Sequence, residues 1–204
     1  MIPYLILGMT YAFAAAVQPG PFLTYLVSQT LTNGWSRTVP AAFAPLLSDI
    51  PIITLVLFVL SRMPGWLVQV LQFAGGGFLL YLALGAYKIW RNYKKTKAIG
   101  NITVQQTILK AVLVNSLNPA PYLGWSLVMG PLLLKGWRET PANGIALLVG
   151  FYCVLIIVTL GIMLLFSLAR NAGPRISQAL VGLSAVALTI FGLYEIWLGI
   201  RSIL

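Results

Sequence analysis

The sequence predicts an all-α integral membrane protein of six transmembrane helices, arranged as two inverted three-helix repeats with a proline-broken first helix in each. Three observations carry this expectation. Of 204 residues, 59% are hydrophobic and 8% charged, with a mean hydropathy of +0.92, whereas a soluble domain carries roughly 25% charged residues. The apolar residues fall in stretches of the length needed to cross a hydrocarbon core of about 30 Å, for which about 20 helical residues suffice. Two such stretches contain the same order of polar residue, proline, small residue and proline, at Gln18–Pro21 and Asn118–Pro121. In lipid every backbone N–H and C=O must be paired within the protein, which selects helices; the short alternating strands of a barrel do not occur.

The segments follow in order, read from apolar runs and turn residues. The first, 3–31, opens Met1-Ile2-Pro3-Tyr4 without a basic stretch, as the start of a span and not a cleaved signal. A turn at Thr32-Asn33-Gly34-Trp35 leads to the second, 39–61, which holds Pro40, Pro45, Asp49 and Pro51. After Arg62-Met63-Pro64-Gly65 comes the third, 65–90, where Gly75-Gly76-Gly77 and Gly85 are expected to permit close helix approach. The longest connector, Arg91 to Thr103, contains Lys94, Lys95 and Lys97. The fourth segment, 105–134, ends at Lys135-Gly136-Trp137; the fifth, 141–169, holds Cys153 as a small core residue; Asn171-Ala172-Gly173-Pro174 leads into the sixth, 175–200. The whole chain, 1–204, reads as one transmembrane domain, with repeat one at about 1–97 and repeat two at about 104–204.

The net charge is +10, but most basic residues stand at the ends of apolar runs and no nucleic-acid-binding motif accompanies them, so no nucleic-acid partner is expected. Connectors after the first, third and fifth segments hold Arg37, then Lys88, Arg91, Lys94, Lys95 and Lys97, then Arg170 and Arg175. The other side holds only Arg62, Lys135, Arg138 and Arg201. Short loops rich in lysine and arginine stay cytoplasmic, so both termini are expected outside. Trp35, Trp66, Trp90, Trp137 and Trp197 lie near segment ends, as an interfacial belt would. One cysteine and no histidine exclude an internal disulfide, dithiol redox chemistry and a zinc-type metal site. Nothing in the residues calls for a cofactor.

The repeat extends beyond the proline runs. Gln18-Pro19-Gly20-Pro21-Phe22-Leu23-Thr24-Tyr25 matches Asn118-Pro119-Ala120-Pro121-Tyr122-Leu123-Gly124-Trp125. Gly34-Trp35-Ser36-Arg37-Thr38 matches Gly136-Trp137-Arg138-Glu139-Thr140, and Gly85-Ala86-Tyr87-Lys88-Ile89-Trp90 matches Gly192-Leu193-Tyr194-Glu195-Ile196-Trp197. Three spans is an odd number, so the second copy must sit upside down relative to the first. Inverted repeats with helices interrupted at matching positions are the pattern that marks a transporter's binding site.

A proline has no N–H to return to the carbonyl four residues back. Pro19 and Pro21 therefore release the carbonyls of Ala15 and Val17, and Pro119 and Pro121 those of Asn115 and Leu117. These groups must face protein or a water-filled cavity. Beyond each break a new half-helix can start, with Pro21 or Pro121 at its first position and its N–H groups and positive dipole end offered to an anion. Two facing breaks suit a zwitterion, with Gln18, Asn115 and Asn118 as neutral polar contacts and Gly20 leaving the backbone bare. Trp125 and its counterpart Tyr25 are candidate walls of such a site.

Asp49 is the acidic residue nearest the middle of a segment. Inserting it costs about 2.5–3.5 kcal/mol, which roughly six leucines or isoleucines at about −0.5 kcal/mol each offset. Intramembrane acids of this kind line ion or substrate paths, and Asp49 is the candidate carrier of a coupling ion, proton or sodium. The bland alternative is a protonated Asp49 capping a freed carbonyl such as that of Leu47. Glu195, near the outer end of the sixth segment, and its counterpart Lys88 are expected to reach the interface.

With Pro19-Gly20-Pro21 in the first segment, a glycine-led turn into a second segment running from Gly34 to Asp49, and Asn118-Pro119 in the fourth, the chain resembles the lysine exporter (LysE/RhtB) family over essentially its whole length. The resemblance implies a multi-pass exporter of amino acids or derivatives in a bacterial inner membrane, driven by an ion gradient. The sequence departs from that pattern where family members commonly carry Asn-Pro-Lys, for it has Ala120 followed by Pro121, and Ala44, Pro45 and Ser48 stand where glycines usually precede the acid. A homodimer is the expected assembly if one copy cannot wall its path alone. A passive channel or an assembly subunit remains the alternative, while an enzyme is disfavoured by the lack of histidine, of a cysteine pair and of adjacent carboxylates.

Overall fold

A computed structural model describes residues 1–59, 65–92, 103–170 and 173–201. Among these residues there is no strand; the elements are α1 (Ile2–Val17), α2 (Pro21–Asn33), α3 (Trp35–Thr38), a 3₁₀ stretch (Val39–Phe43), α4 (Ala44–Thr54) and a π stretch (Leu55–Val59). They continue as α5 (Gly65–Arg91), α6 (Val104–Leu117), α7 (Pro119–Gly124), a second π stretch (Trp125–Met129), α8 (Gly130–Glu139), α9 (Pro141–Arg170) and α10 (Pro174–Arg201).

The boundaries have local causes. α2 stops at Asn33 because Gly34 takes φ 86°, which glycine alone adopts freely. α6 begins at a capping box in which the Gln106 N–H donates to Thr103 Oγ1 at 3.2 Å and the Thr103 N–H donates to Gln106 Oε1 at 3.3 Å. α10 starts on Pro174, whose missing N–H is unneeded at the first helical position. Pro51, inside α4, has no N–H for Leu47, and the helix passes into a π stretch at Leu55.

Four helical runs are long and apolar enough to cross a membrane, Trp35–Leu57, Gln69–Arg91, Pro141–Ala169 and Arg175–Arg201. A fifth results if α1 and α2, bent by 62° across the first break, are taken as one span. The chain is therefore a multi-pass membrane protein. The predicted fourth segment is helical from Val104 to Glu139 but divided at Asn118, so it does not form one long apolar helix. Its end also lies later than expected, at Thr140 and not at Lys135-Gly136-Trp137. Gly136 does not end the helix, for it does not take the positive φ that Gly34 and Gly173 adopt; Tyr4 packs 2.9 Å from where its Cβ would stand. The connectors containing Arg62-Met63-Pro64, Lys94, Lys95 and Lys97, and Asn171-Ala172 lie outside the described residues.

Lipid tails are as apolar as leucine, so helices in a bilayer associate through close packing and not through a hydrophobic drive. Small residues supply that packing here. α1 lies along α9, where Gly8 faces the Leu147 carbonyl and a Cβ on Gly150 would come within 2.5 Å of the Leu5 carbonyl oxygen. α5 lies along α10, where a Cβ on Gly76 would come within 2.7 Å of the Gly192 carbonyl oxygen. Trp90 packs on Gly182 and Phe73 on Gly199, so α5 and α10 run antiparallel. Of the glycines expected to aid packing, Gly75 and Gly76 do so, whereas Gly77 and Gly85 have open space around them. Leu127, Ile157, Leu165 and Leu183 project outward, each more than half exposed, as a lipid-facing surface would. Cys153 is exposed too, not a core residue, because it lies on the outer side of α9.

Candidate functional site

The two breaks meet at one cavity. α1 ends at Val17, and Gln18 leaves the helix in extended conformation (φ −64°, ψ 122°) because the following Pro19 disfavours the helical region. Asn118 does the same before Pro119 (φ −79°, ψ 125°). Between the half-helices lies a cavity of about 300 Å³. From the first break Gln18, Pro19, Gly20 and Pro21 line it; from the second, Asn115, Asn118, Pro121 and Trp125. Asp49 completes this wall from α4.

Two of the ten candidate contacts lie elsewhere. Pro119 is buried at the first position of α7 and does not border the cavity. Tyr25 is fully buried, its hydroxyl donating to the Thr107 carbonyl at 3.2 Å and tying α2 to α6. The reason is a shift in where the helix restarts. After the first break it restarts at Pro21, after the second at Pro119, two residues earlier in the repeat. Two residues are about 200° of helical rotation, so Tyr25 and Trp125 cannot point the same way. Trp125, 2% exposed, faces the cavity.

The second half-helix therefore opens at Pro119 and not at Pro121, and its start is not free. The Asn118 side chain accepts from the Ala120 N–H at 3.1 Å. On the other side of the break the Asn118 N–H donates to the Val114 and Asn115 carbonyls, and the Tyr122 hydroxyl donates to the Ser116 carbonyl at 3.0 Å. The Asn115 carbonyl expected to be released is thus occupied. At the first break the Gln18 N–H likewise donates to the Ala14 carbonyl, at 3.2 Å, but no side chain closes the start of the next helix. Gly20 offers no side chain to cap α2, and Pro19 and Pro21 have no N–H to return to Ala15 and Val17.

Asp49 is 3% exposed and held from three sides. The Asn115 amide donates to Oδ1 at 2.9 Å, the Tyr152 hydroxyl donates to Oδ2 at 3.1 Å, and the Trp125 indole N–H reaches the same carboxyl. Asn115 also donates to Ser48 Oγ at 2.7 Å. The carboxyl thus joins α4, α6, α9 and the second π stretch instead of capping the Leu47 carbonyl.

The structure also adds residues that the sequence did not single out. On α9, Phe151, Leu155 and Thr159 face the cavity at four-residue spacing. On α10, Phe191, Tyr194 and Glu195 face it at three- and four-residue spacing. Glu195 does not reach the interface as expected; it is 9% exposed, because its turn of α10 lies at the level of the breaks. Its counterpart Lys88 is exposed. An acid within an apolar run, on the helix face carrying Phe191, was the available signal.

An all-helical membrane protein whose interrupted helices enclose a cavity has the makings of a translocator. The sequence matches the family of LysE type translocators over residues 13–198, and the chain belongs to that family. The family is one of translocators and not of enzymes. No curated protein and no solved structure matches the chain.

Proposed function

We propose that the chain is a secondary transporter exporting an amino acid or a close derivative, by ion-coupled alternating access around the paired breaks. One observation carries this reading: both breaks and the buried acid Asp49 border a single cavity. At about 300 Å³ it lies at the small end of ligand pockets, which run about 300–1,000 Å³. It therefore suits a solute of amino-acid size.

The reading includes six spans in two inverted repeats within one domain, placed in a bacterial inner membrane with both termini outside. Three features support the inversion. Gln18 and Asn118 share one backbone conformation. The third helices of the two halves, α5 and α10, pack antiparallel. The first half-helix of each repeat packs on the second span of the other, α1 on α9 and α6 on α4.

Asp49 is the coupling residue. Ionised, its carboxylate accepts from Asn115, Tyr152 and Trp125 and holds three elements against α4. Protonation removes the charge and turns one acceptor site into a donor, which weakens this hold. Binding of a proton or sodium thereby bears on whether the elements flanking the breaks stay together.

The test is efflux from proteoliposomes loaded with a pool of labelled amino acids, with imposed pH or sodium gradients. The expected result is gradient-dependent loss of one solute by the wild type, with the gradient dependence abolished in Asp49→Asn. Efflux indifferent to either gradient makes the path passive. No movement of any solute overturns the amino-acid assignment, and a fully coupled Asp49→Asn places coupling elsewhere.

A further inference from the structure

We infer that Glu195 receives the ammonium group of the cargo while the first turn of α2 receives its carboxylate, an assignment that rests on the reading of the cavity as a solute site. The two acids on the cavity wall are in opposite situations. Asp49 already has donors from Asn115, Tyr152 and Trp125, so its acceptor sites are engaged within the protein. Glu195 is also buried, 9% exposed against 3% for Asp49, yet its Oε2 has no hydrogen-bond partner among the described residues. A buried carboxylate oxygen without a donor is unfavourable, and an incoming N–H₃⁺ relieves that state with a charge-assisted hydrogen bond.

Its position fits this role. With Pro21 and Asn118, Glu195 borders both the main cavity and a small void of about 10 Å³ beside it, so it lies at the level where the two breaks come together. Across the same cavity Gly20, Pro21, Phe22 and Leu23 form the start of α2. That helix has 13 residues and no side-chain cap. Its first N–H groups, those of Phe22 and Leu23, have no carbonyl one turn back to bond, whereas the Thr24 N–H donates to Gly20 at 3.0 Å. An N-terminal turn so exposed takes a carboxylate. The matching position at the second break is occupied by the Asn118 cap, so the site has one anionic and one cationic end.

Among the described residues lining the cavity there is no lysine or arginine. A carboxylate without an ammonium therefore has only the helix start to hold it. An ammonium without a carboxylate retains Glu195. The apolar part of a solute would lie against Phe151, Phe191 and Trp125.

The test is equilibrium binding to the purified full chain in detergent, with probes that separate the two charges. Phenethylamine carries the ammonium alone, 3-phenylpropionate the carboxylate alone, and 2-phenylethanol neither. The wild type is expected to bind phenethylamine at least tenfold more tightly than 2-phenylethanol. Glu195→Gln is expected to erase that preference while changing 3-phenylpropionate binding by less than twofold, and Glu195→Asp to keep part of it. Equal binding of amine and alcohol by the wild type overturns the inference without recourse to any variant. An undiminished preference in Glu195→Gln overturns it as well. Ammonium binding that depends on Glu195 in a protein that moves no amino acid in proteoliposomes would leave this site standing and remove the export reading. Efflux with no preference for the amine would do the reverse.

Discussion

The two breaks occupy matching places in the repeat and leave the helix in the same way, yet they end differently. The second closes at once: one extended residue, Asn118, whose side chain caps Ala120, with Tyr122 returning to the Ser116 carbonyl. The first stays open for three residues, with glycine where a cap would stand and a 62° bend between its half-helices. The residues just before the breaks differ as well. Asn115 holds Asp49, and its repeat counterpart, Ala15, has only a methyl group. One backbone device thus occurs twice along the chain, and side chains divide the work between a closed joint, which organises Asp49, and an open one, whose half-helix starts without a side-chain cap at the cavity.

The largest effect on stability is expected from removing the link between the closed joint and the acid. Asn115→Leu keeps the volume but strips a donor from both Asp49 and Ser48. A buried acceptor left unsatisfied costs about 1–3 kcal/mol, read as a lowered thermal midpoint in detergent micelles. The exchange at the counterpart, Ala15→Val, is expected to change stability far less, because Ala15 borders the cavity and bonds nothing through its side chain. Equal losses at both positions would break the contrast.

A smaller loss is expected at the cap itself. Asn118→Ala removes the acceptor for the Ala120 N–H, and loss of such a cap costs about 1 kcal/mol. Gln18→Ala, at the same backbone conformation but with no side-chain cap on α2 to lose, is expected to stay within about 0.5 kcal/mol of wild type. Thermal unfolding of the pair, measured side by side, decides whether the asymmetry is energetic or only geometric.

The sequence made the breaks legible because proline acts on the backbone wherever it stands. It also placed the part of the cavity wall that flanks the breaks, since residues at matching repeat positions converge if the repeat is real. What it hid was governed by rotation and by side chains. Which of two prolines starts a half-helix depends on whether the residue before the first can cap it, and asparagine does so where glutamine does not. That two-residue shift turned Tyr25 into the core and Trp125 into the cavity. Distance from the end of a segment does not give the depth of Glu195, because the crossing of α10 over the breaks sets it, and that is a property of packing. Gly136 suggests a turn because glycine often ends a helix, but it does so by taking positive φ, as Gly34 does and Gly136 does not.

The smallest effect on stability and the sharpest on transport are expected where the open joint is made to resemble the closed one. Gly20→Asn places a side-chain oxygen where it can accept from the Phe22 or Leu23 N–H, the groups assigned to the cargo's carboxylate. The backbone at Gly20 is extended (φ −155°, ψ 175°), and a Cβ there would meet only the Gln18 carbonyl oxygen, at an ordinary 3.9 Å. Asparagine in place of glycine at this position is worth only a few tenths of a kcal/mol, so the thermal midpoint is expected to hold or rise slightly. Efflux should still be driven by the gradient, because Asp49 is untouched, but with a KM raised about tenfold, the equivalent of about 1.4 kcal/mol of binding. If KM is unchanged while the helix gains stability, the start of α2 is not where the carboxylate binds. If coupling and KM fail together, the open joint and Asp49 act as one unit, and the division of work between the two breaks does not hold.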